Sequence, residues 1–340
     1  MDKMSVSKTK KSEYSLEMDH VFVGYGEGTV LYDITLKVKK GSILGVIGGS
    51  GAGKSTAIRA MTAQLKPSKG TCRTAGFNVK SHPSEVQMRI GYVPQLEYLS
   101  LYYKFNALDN AKFFGRHFGI SDKEIEKRTK DVMSILGLGD EEFITKPVKK
   151  LSGGEKKRVS IMIGLINQPE ILFLDEPTTG LDPHLRIEVL NFLSKINKEY
   201  GTTMVLVSHD LECVDYCDTV MVFSDGCVVD FGDPRKMTRS LPNNGGALTI
   251  KFKSMEPDDD EKIKELEEIK YLLHVGRNTF RVFIPSEEKV SNILNKLEDF
   301  HLYPINHYVN NCTFLDYFRV HSLYTYPEKA QNIKEKLEKE

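Results

Sequence analysis

A glycine-rich loop that ends in a lysine and a hydroxyl residue constrains the fold of this 340-residue chain more than any other feature. The loop has the pattern G-x-x-x-x-G-K-[ST] and consists of Gly48, Gly49, Ser50, Gly51, Ala52, Gly53, Lys54 and Ser55, with Thr56 directly after it. A short apolar run, residues 43–47, precedes it, and a helical pattern, residues 56–65, follows. Strand, loop and helix in this order are the setting in which such a loop binds phosphate, which a chance glycine-rich turn would lack. We therefore predict an α/β fold with a phosphate site at the carboxyl end of a parallel strand.

Each residue type in this loop suits contact with phosphate. Glycines let backbone N–H groups turn inward around an anion, and the N-terminus of the following helix adds a partial positive charge. The ammonium group of Lys54 would reach the β- and γ-phosphates, and the hydroxyl of Ser55 would ligate magnesium. The pattern is that of a Walker A loop, or P-loop, and it predicts binding of a nucleoside triphosphate.

A second apolar run, residues 171–174, ends in two adjacent carboxylates, Asp175 and Glu176. An acidic pair after a strand is commonly the start of a solvated loop, but in a chain with a P-loop it resembles a Walker B motif. Asp175 would hold magnesium, directly or through water, and Glu176 would polarise the attacking water. Two adjacent strand residues point to opposite faces, which suits two separate roles.

The composition excludes several classes of protein. The formal net charge is zero, so no global field draws the chain to nucleic acid, and we expect no nucleic-acid partner. No run of about eighteen apolar residues is present, and the first fifteen residues lack the apolar core of a signal peptide. Five cysteines form an odd, scattered set, which favours reduced thiols in a cytosolic protein.

The chain reads as two domains. From about residue 16 to residue 238, short apolar runs alternate with helical patterns, as in a mostly parallel sheet with helices on its faces. Turn-forming residues at 239–247 indicate a linker. Residues 248–326 follow the order strand, helix, strand, strand, helix, strand, which suggests a small ferredoxin-like α+β domain. The ends are predicted to be a disordered tail, residues 1–15, and a charged tail, residues 327–340, that is either helical or disordered.

The segment Leu151-Ser152-Gly153-Gly154-Glu155 lies shortly before the acidic pair. It resembles the signature motif of the ATP-binding-cassette (ABC) family, in which glutamine normally stands where this chain has Glu155. A serine hydroxyl and glycine amides at the start of a helix can bind an anion, and the basic residues 156–158 behind them are expected to keep the local field positive. Ser152 and Glu155 also fit a capping box, and both interpretations can hold together.

Four further residues resemble marks of the same family, in the family's order. Tyr25 stands where an aromatic ring stacks on adenine, and Gln95 resembles the Q-loop glutamine that contacts magnesium and the attacking water. Asp182 lies in a segment that resembles the D-loop. His209, after an apolar strand, resembles the switch histidine that contacts the γ-phosphate. Outside this context, a loop tyrosine or a histidine that ends a strand would more often be structural.

The resemblance implies a P-loop cassette with a RecA-like parallel core, an antiparallel β subdomain and a helical subdomain at about residues 96–160. It implies ATP and Mg²⁺ as ligands and hydrolysis of ATP as the activity. In this family two subunits pair head to tail, so that the signature turn of one caps the ATP on the P-loop of the other. The second ATPase subunit would be another copy of this chain or a paralogue.

We expect the chain to power export through a separate integral membrane permease, as a cytoplasmic protein peripheral on the inner face of the cell membrane. The C-terminal domain resembles the extension of drug exporters of the daunorubicin-resistance type, with residues 314–318 in place of a motif like L-E-D-x-F. The apolar loop 96–103 would either dock the permease or pack in the core. The alternative is a non-transporting ABC ATPase of DNA repair, translation or iron–sulfur assembly. A nucleotide-binding scaffold without hydrolysis is disfavoured by the presence of Glu176 and His209.

Overall fold

The computed structural model describes residues 12–26, 28–256 and 258–339. The chain divides into two compact units, one that ends at Phe231 and one that begins at Gly232. The predicted disordered tail, residues 1–15, is wrong at its C-terminal end, because the first strand already begins at Tyr14. Leu16 is fully buried there, and burial of this apolar side chain favours an ordered strand. Residues 1–11 lie outside the described residues.

The first unit alternates strands and helices along the chain. Its strands are β1 (Tyr14–Tyr25), β2 (Gly28–Lys39), β3 (Ile43–Gly48), β4 (Lys69–Thr74), β5 (Phe77–Asn78), β6 (Ile90–Val93), β7 (Ile171–Asp175), β8 (Thr203–Ser208), β9 (Thr219–Ser224) and β10 (Cys227–Gly232). Its helices are α1 (Lys54–Met61), α2 (Pro83–Arg89), α3 (Ala107–His117), α4 (Asp122–Ile135), α5 (Glu141–Thr145), α6 (Gly153–Leu165) and α7 (Pro183–Tyr200).

Two sheets organise this unit. The larger has the strand order β10-β9-β3-β8-β7-β6, and the pairs from β9 to β6 are parallel. All residues of β3 and β8 are buried, because a parallel sheet is covered on both faces. The smaller sheet, β2-β1-β4-β5, is antiparallel. This arrangement confirms the predicted parallel core with a separate antiparallel sheet. The helices α3 to α5 lie within the predicted helical subdomain, residues 96–160, and α6 begins in it but continues to Leu165.

The larger sheet brings the predicted functional residues to one edge. Strands β3, β7 and β8 are neighbours in parallel, so their carboxyl ends meet. The loop from Gly48, the pair at Asp175 and the segment after Ser208 therefore lie side by side. Ligands of such sheets bind outside this edge of the strands.

The second unit contains the helices α8 (Pro234–Arg239), α9 (Asp259–Lys264), α10 (Val290–Asp299), α11 (Phe314–Tyr324) and α12 (Tyr326–Lys339) and the strands β11 (Gly246–Phe252), β12 (Tyr271–Gly276), β13 (Thr279–Phe283) and β14 (Pro304–Asn311). Its sheet has the order β12-β13-β11-β14, with antiparallel neighbours throughout. From β11 to β14 the elements follow the predicted order strand, helix, strand, strand, helix, strand. Helix α10 buries Ile293 and Leu297 in the same apolar cluster as Leu248 and Ile250 of β11.

One predicted boundary of this unit is wrong. Residues 239–247 are not a free linker, since α8 includes Arg239 and a short helical turn occupies Pro242–Gly245. Helix α8 begins at Pro234, where Asp233 caps the helix and proline suits its first position. Strand β11 then begins at Gly246, and the N–H of Cys312 donates to the carbonyl oxygen of Gly245. The charged tail predicted for residues 327–340 is helical, as α12, as far as Lys339, in agreement with the helical alternative. No helix in the described ranges is long and apolar enough to cross a membrane.

Candidate nucleotide-binding and active site

The predicted phosphate-binding loop joins β3 to α1. A Cβ atom at Gly48 would lie 2.6 Å from the carbonyl oxygen of Phe223, so the chain passes too close to β9 for any larger residue. The ammonium nitrogen of Lys54 donates hydrogen bonds to the carbonyl oxygens of Gly48 (2.7 Å) and Gly49 (2.8 Å), which holds the lysine across the loop. Partial burial lowers the pKa of Lys54, while the charges of Glu176 and Asp175 act to raise it. Both carboxylates therefore lie near the lysine.

The loop fits the phosphates of ATP together with Mg²⁺. Cβ atoms at Gly49 and Gly51 would meet nothing within 4 Å, so the loop presents bare backbone on its outer side. Helix α1 begins at Lys54, and the N–H groups of a first helical turn lack partners within the helix and attract anions. Ser55 is exposed, and its hydroxyl and the carboxylate of Asp175 supply the oxygen ligands that Mg²⁺ prefers.

Tyr25 lies beside the first turns of α1. Its hydroxyl oxygen accepts a hydrogen bond of 3.0 Å from Arg59, and the residue is 45% exposed. The pKa of Tyr25 lies below its ordinary value, mainly because of a hydrogen bond with Thr56. Burial acts to raise this pKa, and Arg59 acts to lower it. An exposed ring next to the helix that follows the P-loop is suitably placed to stack on a nucleotide base.

Asp175 ends β7 and is half-buried at the edge of the sheet. Burial raises the pKa of its carboxyl group, which the hydroxyl of Tyr92 partly offsets by donating a hydrogen bond of 3.3 Å. Burial and the neighbouring charge of Asp175 in turn raise the pKa of Tyr92 to about 12. A carboxylate in such a site gains from a bound cation, and this suits the predicted magnesium role.

Glu176 is the most constrained residue of the site. It is only 8% exposed and has a φ of 51°, a left-handed conformation that is costly for a residue with a side chain. Its backbone N–H donates to the carbonyl oxygen of Val207 at 2.8 Å, which ties it to β8. Its carboxylate accepts hydrogen bonds from the hydroxyls of Thr179 (3.2 Å) and Ser208 (3.4 Å). The structure thus fixes this side chain in one orientation.

His209 contacts the carboxylate of Glu176 as well. Its backbone N–H donates to Oε1 of Glu176 at 3.1 Å, and its Nδ1 lies 2.8 Å from Oε2. The imidazole is 64% exposed, whereas the carboxylate behind it is buried. An exposed imidazole that is oriented by a buried carboxylate can present its other nitrogen to a ligand outside the sheet edge. Gln95, also exposed, follows β6 at the same edge.

The signature segment forms the N-terminus of α6. Ser152 is the N-cap residue, and its hydroxyl accepts from the N–H of Glu155 at 3.3 Å. The carboxylate of Glu155 accepts from the N–H of Ser152 at 2.7 Å, so both halves of the capping box are present. Glu155 is therefore engaged with the backbone of its own turn. Ser152 and Gly153 are exposed, as binding of an anion requires.

One expectation for this segment is wrong. The basic residues 156–158 do not form a single positive cluster, because Lys157 is fully buried and is paired with Glu97. Lys156 lies over the ring of Tyr103, and the guanidinium of Arg158 lies over Phe192. A helix turns by 100° at each residue, so three successive side chains cannot face the same site.

The predicted D-loop residue Asp182 lies next to the signature turn. It is exposed and caps α7, with Oδ1 accepting from the N–H of Leu185 at 3.1 Å. A Cβ atom on Gly154 would be 3.0 Å from the side chain of that same Leu185. The structure therefore groups the site residues in two places. The P-loop, Asp175, Glu176 and His209 form one group, and the signature turn with Asp182 forms the other.

Sequence reasoning missed three residues that hold the two carboxylates, Asp175 and Glu176, that were predicted to be functional. Thr179 and Ser208 lie beside predicted motifs, and their hydroxyl groups could have identified them as hydrogen-bond donors to Glu176. Tyr92 contacts Asp175 only because β6 pairs with β7, and this pairing cannot be read from local sequence.

Comparison with known proteins identifies the family. The family model described as "ABC transporter" matches residues 31–179. The chain is 34% identical over 214 residues to the Nod factor export ATP-binding protein I of Ralstonia nicotianae, covering 63% of this chain and 65% of that protein, just under two thirds. It is 36% identical over 221 residues to the energy-coupling factor transporter ATP-binding protein EcfA2 of Enterococcus faecalis, covering 62% of this chain and 74% of that protein.

A solved structure supports the same assignment. The dimeric ATP-binding cassette MJ0796, in a post-hydrolysis state bound to ADP and Pi, has a TM-score of 0.57 and 26% identity with this chain. The match covers 64% of this chain and 98% of that one. The family model spans the P-loop, the signature turn and Glu176, and the geometry of each suits binding of ATP with Mg²⁺. On this joint evidence, the chain belongs to the ABC transporter family as an ATP-binding protein.

Proposed function

We propose that the chain is the ATP-hydrolysing subunit of an ABC transporter and powers export through a separate membrane permease. The observation that carries the ATPase assignment is the buried carboxylate of Glu176, held by Thr179, Ser208 and His209 beside Lys54 of the P-loop. A carboxylate fixed in this way at a phosphate site is suited to take a proton from an attacking water.

The catalytic contribution of the chain consists of positioning and electrostatics. Lys54 and the N–H groups at the start of α1 bind the phosphates and stabilise the negative charge that develops on the transferred phosphoryl group. Glu176 orients the water and accepts its proton at the carboxylate. His209 holds this carboxylate in place and presents its ring toward the γ-phosphate. When bound, Mg²⁺ neutralises phosphate charge, and Ser55, Asp175 and Gln95 are the residues that would hold it.

A second ATPase subunit would complete each site. In the described part of the chain, the hydrogen bonds given for the signature turn lead to α6 or to Val148 just before the turn, and none leads to the P-loop. Ser152 and Gly153 are nonetheless exposed at a helix N-terminus and suit an anion. A two-fold pair would bring the turn of one subunit to the phosphates of the other and create two equal sites. The dimeric state of MJ0796, bound to ADP and Pi, supports this proposal.

An exposed apolar surface beside Gln95 supports docking to a permease. Leu96, Tyr98 and Leu99 follow the glutamine directly and are exposed, Tyr98 by 63% and Leu99 by 65%. The exposed rings of Tyr102 and Phe113 pack edge to face with centroids 4.6 Å apart. We call these five residues the aromatic docking surface. Concentrated apolar exposure of this kind is typical of a protein–protein contact and not of core packing.

The proposal of export, in particular, rests on similarity to the Nod factor export protein. The energy-coupling factor relative is about equally similar, so sequence identity alone does not decide the direction of transport. Residues 314–318, which resemble an exporter motif, have a structural role in this chain. Asp316 accepts hydrogen bonds from the N–H and hydroxyl of Thr313, at 2.7 and 2.8 Å, and so completes a capping box with Thr313, the N-cap residue of α11. It also pairs with Arg281 at 2.8 Å. The non-transporting alternative is disfavoured by the aromatic docking surface.

The test of the ATPase assignment is phosphate release by the purified chain. We expect hydrolysis that requires Mg²⁺ and is abolished by Lys54→Ala, with Lys66→Ala as the control for loss of a lysine outside the loop. Normal turnover in the Lys54→Ala variant would refute the proposed site. Transport is tested separately, by co-purification of the chain with an integral membrane protein encoded next to it.

A further inference from the structure

Lys157 connects the signature helix to the Q-loop. It lies one turn into α6, the helix that the signature turn starts, and its side chain is 0% exposed. Its ammonium nitrogen donates a hydrogen bond of 2.9 Å to the main-chain oxygen of Gln95 and lies 2.7 Å from Oε1 of Glu97. Lysine is almost never fully buried unless it is paired. In this chain both partners belong to the segment that follows β6.

A second contact along α6 reinforces this connection. Ser160, three residues after Lys157, lies on the same face of the helix. Its hydroxyl is 2.7 Å from the hydroxyl of Ser100, and both side chains are buried. The segment from Gln95 to Ser100 is therefore bonded to α6 at both of its ends. The end that carries the functional glutamine is held by Lys157.

The two contacts of Lys157 have different consequences. Glu97 compensates the buried charge, and it has no predicted part in catalysis. The bond to Gln95 fixes the main chain of a residue whose side chain is exposed, so the position of that amide depends on where its backbone is anchored.

We infer that Lys157 is a positioning residue: it holds the Gln95 amide at the magnesium and water site and couples this position to the signature helix. A shift of α6 when its turn meets a nucleotide is transmitted through one buried ammonium to Gln95. This inference rests on the proposed ATPase function. It adds a residue that acts through Gln95 and does not itself touch the nucleotide.

Two matched variants isolate the contact. Glu97→Gln removes the ion pair and leaves the bond from Lys157 to Gln95. The double variant Glu97→Gln/Lys157→Met removes that bond as well, and it leaves no unpaired charge in the interior, so the fold is protected. Lys156→Met, on the same helix and partly exposed, controls for loss of a lysine from α6. For each protein we would measure kcat, nucleotide affinity, the half-saturating Mg²⁺ concentration and Tm.

The comparison of the double variant with Glu97→Gln decides the inference. Relative to Glu97→Gln, we expect kcat to fall by about tenfold or more, as for loss of a hydrogen bond to a charged group, with nucleotide affinity nearly unchanged. Tm should be no lower, because the double variant no longer contains the buried ammonium that Glu97→Gln leaves without its ion-pair partner. The half-saturating Mg²⁺ concentration should rise, and Lys156→Met should behave as wild type. An equal kcat in the two proteins overturns the inference. So does a loss of kcat that is matched by losses of Tm and nucleotide affinity, since a purely structural lysine would give that result. Absence of ATPase activity in the wild type would instead refute the proposed function.

Discussion

The Nδ1 atom of His209 lies 2.8 Å from Oε2 of Glu176, and the backbone N–H of the same histidine donates to Oε1 of that carboxylate. One residue thus contacts both oxygens of the proposed general base. Glu176 has a left-handed φ of 51°, a strained backbone conformation. Such a conformation persists where surrounding contacts fix it, and the two contacts with His209 are contacts of this kind.

Replacing the base should separate binding from turnover. Glu176→Gln keeps the size of the side chain and its ability to accept hydrogen bonds but removes the negative charge that accepts a proton. We expect turnover to fall by about a hundredfold or more, with ATP affinity preserved. Phosphate release and equilibrium nucleotide binding are the measurements. Glu170→Gln, at the opposite end of β7, is the matched control, and undiminished turnover in Glu176→Gln would exclude Glu176 from this role.

The signature glutamate should be replaceable by the usual glutamine. Both side chains can accept the N–H of Ser152 in a capping box, so Glu155→Gln should change turnover by no more than about threefold. Glu155→Ala removes the acceptor, and it should lower the free energy of unfolding by about 1 kcal/mol and slow turnover as well. Chemical denaturation and ATPase assays check both variants. A large gain or loss in the glutamine variant would mean that the carboxylate acts on the nucleotide directly.

The buried thiol of Cys72 provides a pH test of packing in the first unit. Burial raises the pKa of this thiol from its ordinary value of 9.0 to about 12. Above pH 9 the unfolded chain loses this proton while the folded chain keeps it, so the thiol's contribution to stability decreases as pH rises from 9 toward 12.

Cys72→Ala should therefore destabilise the protein less at pH 10 than at pH 8, by about 1 kcal/mol. Denaturant unfolding at the two pH values measures this difference. A penalty that stays constant with pH would show that the thiol is accessible to water in the folded state.

The aromatic docking surface should be needed for the permease and dispensable for catalysis. Leu99→Asp places a charge in this surface and should abolish co-purification with the membrane subunit, because burial of an unpaired carboxylate is costly. Mg²⁺-dependent hydrolysis by the isolated chain should remain within about twofold of wild type. Tyr303→Asp, in the second unit, exchanges an equally exposed apolar residue and serves as the control. Retained co-purification in Leu99→Asp would remove this surface from the interface.

Contiguous motifs carry most of what the sequence predicts about the site, because their chemistry is encoded in adjacent residues. The P-loop is recognisable from Gly48 to Ser55, and the glycine at its start is required by close approach to Phe223. The Walker B carboxylates were likewise predictable from the strand that they end. The pairing of Glu176 with His209 was not derivable from spacing, since 33 residues separate them. Resemblance to the family supplied both roles, and the parallel pairing of β7 with β8 brings the residues together.

Errors arose where local composition competed with tertiary contacts. The polar, lysine-rich start of the chain suggested disorder as far as residue 15, but Leu16 and Met18 bury against the sheet and extend β1 to Tyr14. Lys157 was assigned to a positive cluster because it lies between two basic neighbours. The phase of the helix directs it into the interior, where Glu97 compensates its charge.

The central claim is that ATP lies on the P-loop of one subunit and is capped by the signature turn of another. A structure of the Glu176→Gln variant with ATP and Mg²⁺ tests it most directly. We predict phosphates against Lys54 and the loop 48–55, with Ser152 and Gly153 of a second subunit across the γ-phosphate. ATP bound elsewhere, or bound at the loop with the signature turn remote from every nucleotide, would contradict the account.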